Sequence, residues 1–252
     1  MSMHPQQVRG LARWDSILSL LDRHRQLLQT RLVDSLRSNR CLLCHQTGSP
    51  RGLCTGCLAD LPWLDTTCDR CALPCEAPGV CNQCDPHFGP DRSEAVLAYA
   101  FPVDRLLLTL KHDCDPAIIR CLAELLVARI PPEQRPDLIL PVPLSARRQR
   151  QRGYNQAQLL ADPVGRLLGV PVGRMLARTR ETRAQKTLHA DQRRHNLAAA
   201  FRWQGPPLNG ETVAVIDDVM TTGATMAALS DVLKDAGAGQ VFAWVVARTL
   251  PG

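Results

Sequence analysis

Residues 213–225 read VAVIDDVMTTGAT, and this stretch sets the fold class that we predict for the chain. Its apolar run, 213–216, has the β-branched content and the length of a strand buried on both faces, as in a parallel sheet. Asp217 and Asp218 follow where the apolar run stops. The stretch therefore predicts an α/β protein in which a buried strand ends in two adjacent carboxylates.

The small residues after the acid pair predict a binding site for an anion. They are Thr221, Thr222, Gly223, Ala224 and Thr225. We expect them to form a tight turn into a helix that reaches about Ala236, with Thr222 as its N-cap. A phosphate can be held only where backbone N–H groups approach it closely, and glycine gives the backbone that freedom. The start of the helix adds a partial positive charge.

The acid pair beside this turn narrows the class of ligand. Carboxylates accept hydrogen bonds from sugar hydroxyls or hold a divalent cation. An anion site with two carboxylates next to it therefore matches a phosphorylated ribose. The alternative interpretation is an ordinary strand-to-helix turn whose acidic residues are only solvated.

The length and composition of the chain limit its class. It has 252 residues, of which 45% are apolar, so it is long enough for one full α/β domain and a small module. No apolar stretch approaches the roughly twenty residues that a membrane helix needs, and the N-terminus lacks the apolar core of a signal peptide. We therefore expect a cytoplasmic protein without membrane insertion. Leucines at helical spacing predict an N-terminal helical extension over residues 1–40.

The net charge of +6 is unevenly distributed. Between Arg147 and Arg202, twelve arginines and one lysine stand against three acidic residues, which gives this segment a net charge of +10. Such a concentration indicates an anionic partner, either a pyrophosphate or a nucleic acid. The alternative is a solvated surface or a pyrophosphate clamp alone, because aromatic residues for base stacking are few. Those near the arginines are Tyr154, Phe201 and Trp203.

The cysteines form an internal repeat. Nine of the eleven lie between residues 41 and 84, and eight of these form four CxxC pairs: Cys41/Cys44, Cys54/Cys57, Cys68/Cys71 and Cys81/Cys84. A shift of 27 residues places the first two pairs on the last two. One CxxC turn offers two thiolates to a metal and a second completes the tetrahedron that zinc prefers. The repeat predicts two structural Zn²⁺ sites, with sequential pairing as the simplest choice and interleaved pairing also possible.

A disulfide framework is the alternative for these cysteines, but a chain without a signal peptide argues against it. Redox chemistry is disfavoured because thioredoxin-type motifs do not occur as four copies on one short segment. Cys75, Cys114 and Cys121 remain outside the repeat, and Cys121 lies in an apolar helical stretch where we expect a core residue.

Further elements of the α/β domain are predicted after the cysteines. Strands are expected over 94–101 and 138–143, and Asp115 with Pro116 should begin a helix that runs to about residue 130. A basic loop, 144–154, follows the second of these strands, before a helix that begins near Asn155. In a parallel sheet that loop lies at the same edge as the acid pair. Pro163 should kink the helix after it.

Taken together, these motifs resemble the ComF family of competence proteins, including its GntX-type members. The resemblance rests on the double CxxC ribbon, P-x-P-x-S followed by R-G-x-N-Q, a basic segment with Q-x-x-L and R-x-x-N, and the terminal DD-x-x-T-T-G-x-T, over residues 41–248. It implies a double zinc ribbon over 41–90 and, over 91–252, a domain with the fold of type I phosphoribosyltransferases, a parallel sheet flanked by helices.

The resemblance also implies roles for residues of this sequence. Asp217 and Asp218 would bind the ribose hydroxyls as the catalytic pair, and Thr221, Thr222, Gly223, Ala224 and Thr225 would hold the 5′-phosphate of phosphoribosyl pyrophosphate, with Mg²⁺ as its cofactor. Ser145, Arg152 and Gly153 would face the pyrophosphate. Lys111 stands where the family has a lysine before an aromatic residue, although His112 follows it here.

A second part of the implied site is the loop that folds over the ligand in phosphoribosyltransferases. It corresponds to residues 178–196 and contains Arg178, Gln185, Leu188, Arg193 and Asn196. The family implies a role in DNA uptake during natural transformation, by handling internalised single-stranded DNA, with competence helicase-type proteins as partners. The alternative is a phosphoribosyltransferase of nucleotide or salvage metabolism whose acceptor the sequence does not identify.

Overall fold

A parallel sheet of four strands forms the centre of the structure, a computed structural model that describes residues 40–47, 49, 52–82, 84, 89–179 and 200–251. The strands are β1 (Arg92–Ala98), β2 (Leu138–Pro141), β3 (Leu176–Arg178), β4 (Phe201–Trp203), β5 (Thr212–Met220) and β6 (Gln240–Arg248). The main sheet has the order β1-β6-β5-β2 with every pair parallel, and β3 and β4 form a separate antiparallel pair. This architecture confirms the predicted α/β class.

Helices cover both faces of this sheet. They are α1 (Thr55–Ala59), α2 (Val103–Asp113), α3 (Pro116–Arg129), α4 (Ala146–Arg152), α5 (Gln156–Leu168) and α6 (Ala224–Asp235), with a 3₁₀ turn at Pro132–Gln134. The predicted starts of α3 and α5 are confirmed. Asp115 Oδ1 accepts a hydrogen bond from Ala117 N at 2.8 Å, and Asn155 Oδ1 accepts one from Ala157 N at 3.1 Å. The α5 helix runs through Pro163.

Alternate side chains of the strands enter two separate apolar cores. In β6, Phe242, Trp244 and Val246 pack with α2, α3 and α5, whereas Val241 and Val245 pack with α6 on the other face. The apolar run at the start of β5 is likewise buried on both faces, as predicted for a central strand of a parallel sheet.

The cysteine-rich module docks on the free edge of β1. Leu64 N donates to Val96 O at 3.1 Å and Ala98 N donates to Pro62 O at 2.8 Å, so residues 62–64 pair with the strand in the antiparallel sense. Ser93 binds the second cysteine repeat, because its Oγ donates to Arg70 O at 2.6 Å. Backbone hydrogen bonds thus join the module to the sheet directly.

Several elements differ from the sequence prediction. The strands β1 and β2 end at Ala98 and Pro141, earlier than the strands predicted over 94–101 and 138–143. The β5 strand does not stop at the acid pair but continues to Met220, since β6 is equally long and pairs with it as far as Arg248. The segment after β2 was expected to be a loop, yet residues 146–152 form α4, because Ser145 Oγ accepts a hydrogen bond from Arg148 N at 3.3 Å and caps the helix.

The predicted N-terminal extension lies outside the described residues except for Arg40. Across the described ranges, no helix has the length and apolar character required to span a bilayer.

Gly165 provides a test of the packing between α5 and the chain that follows it. An added Cβ there would meet the Val172 side chain and lie 2.8 Å from Val170 O. Alanine in a helix interior normally gains roughly 1 kcal/mol over glycine. Gly165→Ala should instead lower the free energy of unfolding by about 1–3 kcal/mol, through overpacking, in a denaturant titration of the zinc-loaded protein.

The matched control is Gly56→Ala in α1, where an added Cβ meets nothing within 4 Å. This variant should unfold at the same denaturant concentration as the parent or at a higher one. Equal stability of Gly165→Ala and the parent would contradict the close packing of Gly165 against Val170 and Val172.

Candidate functional site

The eight paired cysteines form two groups of four in the structure. Cys41, Cys44, Cys54 and Cys57 make the first group, and Cys68, Cys71, Cys81 and Cys84 make the second; within each, the ligand atoms lie within 4.8 Å of one another. The sequential pairing is therefore the one that the fold adopts.

The spacing of the sulfur atoms fits zinc. In the second group the Sγ atoms of Cys68 and Cys84 are 3.3 Å apart and those of Cys71 and Cys81 are 3.8 Å apart. A Zn–S bond of about 2.3 Å in a tetrahedron places sulfurs about 3.8 Å from one another. Four soft thiolates in this arrangement are the donor set of a structural zinc site, and both groups provide it.

Backbone amides in the CxxC turns favour thiolates. Burial acts to raise the pKa of the Cys41 thiol. Hydrogen bonds from the backbone of Cys44, Cys54 and Leu43 outweigh burial and lower the pKa to about 6. Cys68 has the same arrangement, with backbone hydrogen bonds from Cys81, Cys71 and Arg70, and its pKa is also lowered to about 6. One thiol in each group is thus prepared to lose its proton to a metal at neutral pH.

The acid pair lies near the carboxyl end of β5 and meets a lysine from another element. Lys111, in the last turn of α2, places its Nζ 3.1 Å from Asp218 Oδ2. Both side chains are largely buried, with 24% and 13% of their area exposed. The fold therefore joins Lys111 to the acid pair, although more than a hundred residues separate them in the sequence.

Asp217 lies in a strongly perturbed environment. Burial raises the pKa of its carboxyl well above the ordinary value, and the neighbouring Asp218 charge raises it further, while Lys111 acts in the opposite direction. Two carboxylates thus share one ammonium group. Added positive charge at this position, from a divalent cation, would favour the ionised form of Asp217.

The turn that follows β5 has its glycine at the start of α6. Gly223 is the N-cap, with φ at 80°, a left-handed conformation that favours glycine. The prediction that Thr222 is the N-cap was wrong by one residue, although Thr222 Oγ1 accepts a hydrogen bond from Ala224 N at 3.4 Å. The small-residue turn and the helix start that the sequence predicted are present next to the acid pair.

The R-G-x-N-Q motif forms the connection between α4 and α5. Arg152 Nη1 donates to Gln156 Oε1 at 3.1 Å, and Gly153 ends α4 with φ at 77°. Asn155 caps α5 and its Nδ2 donates to Val142 O at 2.9 Å, which fixes the connection to the end of β2. Ser145, predicted to face a pyrophosphate, is buried and caps α4. These residues shape the carboxyl edge of the sheet beside the acid pair.

Part of the predicted covering loop is described. Arg178 lies in β3, where its guanidinium carbon is 5.3 Å from the centre of the Phe201 ring in β4. The Phe201 ring is buried, so it contacts Arg178 and also packs in the apolar core. Gln185, Leu188, Arg193 and Asn196 lie outside the described residues.

One residue of this edge was missed by sequence reasoning. Arg248, at the end of β6, is buried, with 4% of its surface exposed, and its guanidinium contacts both Thr221 O and Cys71 O. The only signal in the sequence is an arginine that ends the otherwise apolar run VFAWVVA.

Comparisons with known proteins place the chain in a family. It is 34% identical over 221 residues to the DNA utilization protein YhgH of Salmonella typhimurium, a match that covers 83% of this chain and 97% of that protein. It is 31% identical over 223 residues to Competence protein F of Haemophilus influenzae, covering 83% and 96% of the two chains. The chain belongs to the ComF family. Residues 32–85 of this ComF family member match the model of the double zinc ribbon domain.

The ComF family chain also has phosphoribosyltransferases among its structural neighbours. The purine phosphoribosyltransferase from Pyrococcus horikoshii matches 62% of this chain and 78% of its own, with a TM-score of 0.32 and 19% sequence identity.

The two cysteine groups predict the metal content of the ComF family chain. The purified protein should contain about two zinc ions per chain, since each group supplies one complete tetrahedral ligand set. Cys44→Ser and Cys81→Ser should each reduce the content to about one. Chelation should unfold residues 41–84 and leave the α/β domain largely intact. Elemental analysis and circular dichroism measure these changes.

Cys75→Ser is the matched control, because Cys75 belongs to neither group. It should retain the zinc content of the parent. A parent protein with one zinc ion per chain, or none, would rule out the double site.

Proposed function

We propose that the chain binds phosphoribosyl pyrophosphate at the carboxyl edge of its sheet and acts on single-stranded DNA during DNA uptake. The observation that carries the first part is the meeting of Lys111 with Asp218 beside the turn at 221–225. An anion-binding helix start, a pair of carboxylates and an ammonium group adjoin one another there. A ligand with both phosphate groups and sugar hydroxyls uses all three.

Each group has a separate task in this proposal. Asp217 and Asp218 accept hydrogen bonds from the ribose hydroxyls, and the backbone of residues 221–225 holds the 5′-phosphate. Lys111 offsets the charge of the pair and contributes to holding the pyrophosphate. Arg152 and Gly153 face the pyrophosphate from the other side of the edge.

Mg²⁺ suits this site, because Asp217 lies buried beside a second carboxylate and, among the described residues, Lys111 is the one cation that pairs with the acid pair. The acid pair would hold the ion together with the ligand. When bound, it neutralises the charge of the pyrophosphate. The protein's own residues position the ribose and offset the charge of the pyrophosphate.

The alternative function, phosphoribosyl transfer to an acceptor, uses the same residues. Pyrophosphate would leave the anomeric carbon as an acceptor attacks it, and no side chain need form a covalent intermediate. Release of pyrophosphate from phosphoribosyl pyrophosphate, in a screen of nucleobases and amines, distinguishes this enzyme from a protein that only binds the ligand.

The proposed action on DNA is supported by the relatives and by α4. The relatives are named DNA utilization protein YhgH and Competence protein F. Four exposed arginines, Arg147, Arg148, Arg150 and Arg152, occur within the seven residues of α4, whose sequence contains no aspartate or glutamate. A short, dense row of guanidinium groups suits the phosphates of a flexible single strand. A competence helicase-type partner remains a prediction.

The acid pair provides the test of the small-molecule site. Asp217→Asn combined with Asp218→Asn keeps the shape of both side chains but removes their charge. Affinity for phosphoribosyl pyrophosphate in the presence of Mg²⁺ should fall about 100-fold, the loss expected for two charge-assisted hydrogen bonds. Isothermal titration calorimetry measures it, and unchanged affinity would show that the pair does not bind the ligand.

The single variant Asp217→Asn shows that the loss is not caused by unfolding. The raised pKa means that the folded protein retains a proton that the unfolded chain has lost, so stability of the parent falls as pH rises above the ordinary Asp pKa of about 3.9. Asparagine carries no titratable proton, so the variant does not lose stability in this way as the pH rises. The variant should therefore melt above the parent at pH 7, and the two should converge as the pH falls toward 4.

The arginines of α4 provide the test of DNA binding. Replacement of Arg147, Arg148 and Arg150 by alanine should weaken binding to a single-stranded oligonucleotide. The slope of the logarithm of the binding constant against the logarithm of the salt concentration should become shallower by about 2, since each phosphate contact contributes roughly 0.7. Affinity for phosphoribosyl pyrophosphate should not change. Arg152→Ala should instead lower the affinity for phosphoribosyl pyrophosphate. Fluorescence anisotropy over a salt series measures the first effect.

A triple variant at the opposite edge of the sheet controls for the loss of three charges. Arg92, Arg135 and Arg166 are exposed and lie at the amino ends of β1 and β2 and in the last turn of α5. Their replacement by alanine should leave the salt dependence near that of the parent. If both triple variants bound the oligonucleotide equally well, or if the parent bound none at low salt, direct DNA contact through α4 would be excluded.

A further inference from the structure

Arg248 lies at the carboxyl end of β6, between two strands that end at the same level. It pairs with Met220 of β5 on one side and with Ala98 of β1 on the other. Its side chain reaches from the sheet to the second cysteine group, where it contacts the backbone of Cys71. The residue is therefore buried at the place where the zinc ribbon meets the turn at 221–225.

The guanidinium donates its hydrogen bonds to backbone carbonyls from both of these segments. Nε donates to Cys71 O at 2.8 Å. Nη1 donates to Met220 O at 3.1 Å and also to Thr221 O. A further bond goes to Thr249 O at 3.0 Å. One rigid, planar group thus holds the second cysteine group and the first residue of the turn at fixed positions relative to each other.

The guanidinium charge of Arg248 is buried beside the second cysteine group. Among the described residues, no carboxylate forms an ion pair with it. Four thiolates carry more negative charge than one Zn²⁺ carries positive charge, so a filled second site is net negative. It offsets a buried cation that would otherwise be costly.

We propose that Arg248 is a positioning residue through which zinc in the second cysteine group fixes the turn at 221–225. Zinc orders the Cys68–Cys71 turn, the Cys71 carbonyl orients the guanidinium, and the guanidinium orients the Met220 and Thr221 carbonyls. The ligand assigned to the turn rests on the proposed function, whereas the coupling itself does not.

The first cysteine group has different surroundings. Cys41 and Leu53 belong to the core that contains Cys121 of α3, on the face of the sheet that packs against α2, α3 and α5. Loss of zinc from the first site should therefore leave the turn unchanged. This difference between two sites of the same chemistry makes the coupling testable within one molecule.

Hydrogen exchange of the full zinc-loaded chain, followed by mass spectrometry, tests the coupling without any ligand. In Arg248→Met and in Cys81→Ser, amides of residues 219–229 should exchange about tenfold faster than in the parent, because the carbonyls that precede the turn lose their donor. In Cys44→Ser they should exchange at the parental rate. Peptides over 138–168 should be unaffected in all three variants.

Arg129→Met is the matched control for Arg248→Met. Arg129 also ties the ribbon to the α/β domain, because Nη2 donates to Asp65 O at 3.1 Å and Nε lies 3.5 Å from Glu94 Oε2, but it makes no bond to the turn. Its loss should leave exchange of 219–229 unchanged. Arg248→Lys, which keeps the charge without the planar fork, should restore part of the protection.

The rate at which zinc leaves the second cysteine group gives a second measurement of the coupling. Zinc should leave the second site of Arg248→Met faster than that of the parent when a chelator is added, and the rate at the first site should not change. Parental exchange of 219–229 in both Arg248→Met and Cys81→Ser would overturn the coupling. Failure of phosphoribosyl pyrophosphate to bind the parent would overturn the proposed function, and altered exchange in the variants would still support the coupling.

Discussion

The parallel pairing of β5 with β6 is the constraint on which the rest of the structure depends. It places the carboxyl ends of β1, β2, β5 and β6 at one edge and extends β5 as far as Met220. Because each crossover must return to the opposite edge, the groups that follow the strands collect on one side of the molecule. The α4 arginines lie at the same edge as the acid pair and the turn at 221–225 for this reason, although more than sixty residues separate them in the sequence.

The zinc ribbon depends on its metal sites because it is small. A module of about fifty residues buries too little apolar surface to be stable without cross-links. Metal ions supply what a core of its own cannot, and the module adds backbone pairing with β1 and side-chain bonds from α3 and β6. The cysteines with lowered pKa are those whose turns donate several backbone amides to one sulfur, so the same turns both shape the module and prepare it for metal.

The parts of the fold that could be predicted from the sequence are those that local patterns determine. The CxxC repeat, the apolar start of β5 and the Asp115–Pro116 helix start depend on neighbouring residues only, and the structure contains them. The full length of β5 depends on the length of β6, which no local pattern reveals. Likewise, Lys111 meets Asp218 and Arg248 meets Cys71 only because distant elements pack together. Buried polar contacts between elements are where single-sequence reasoning fails.

The antiparallel pairing of residues 62–64 with β1 has a consequence for the protein during synthesis and under metal limitation. An edge strand with free N–H and C=O groups can recruit a strand from another molecule. The apolar β1 would offer such an edge whenever the ribbon detached from it. We therefore expect loss of zinc, by freeing this edge, to favour self-association of the chain while its α/β domain is still folded.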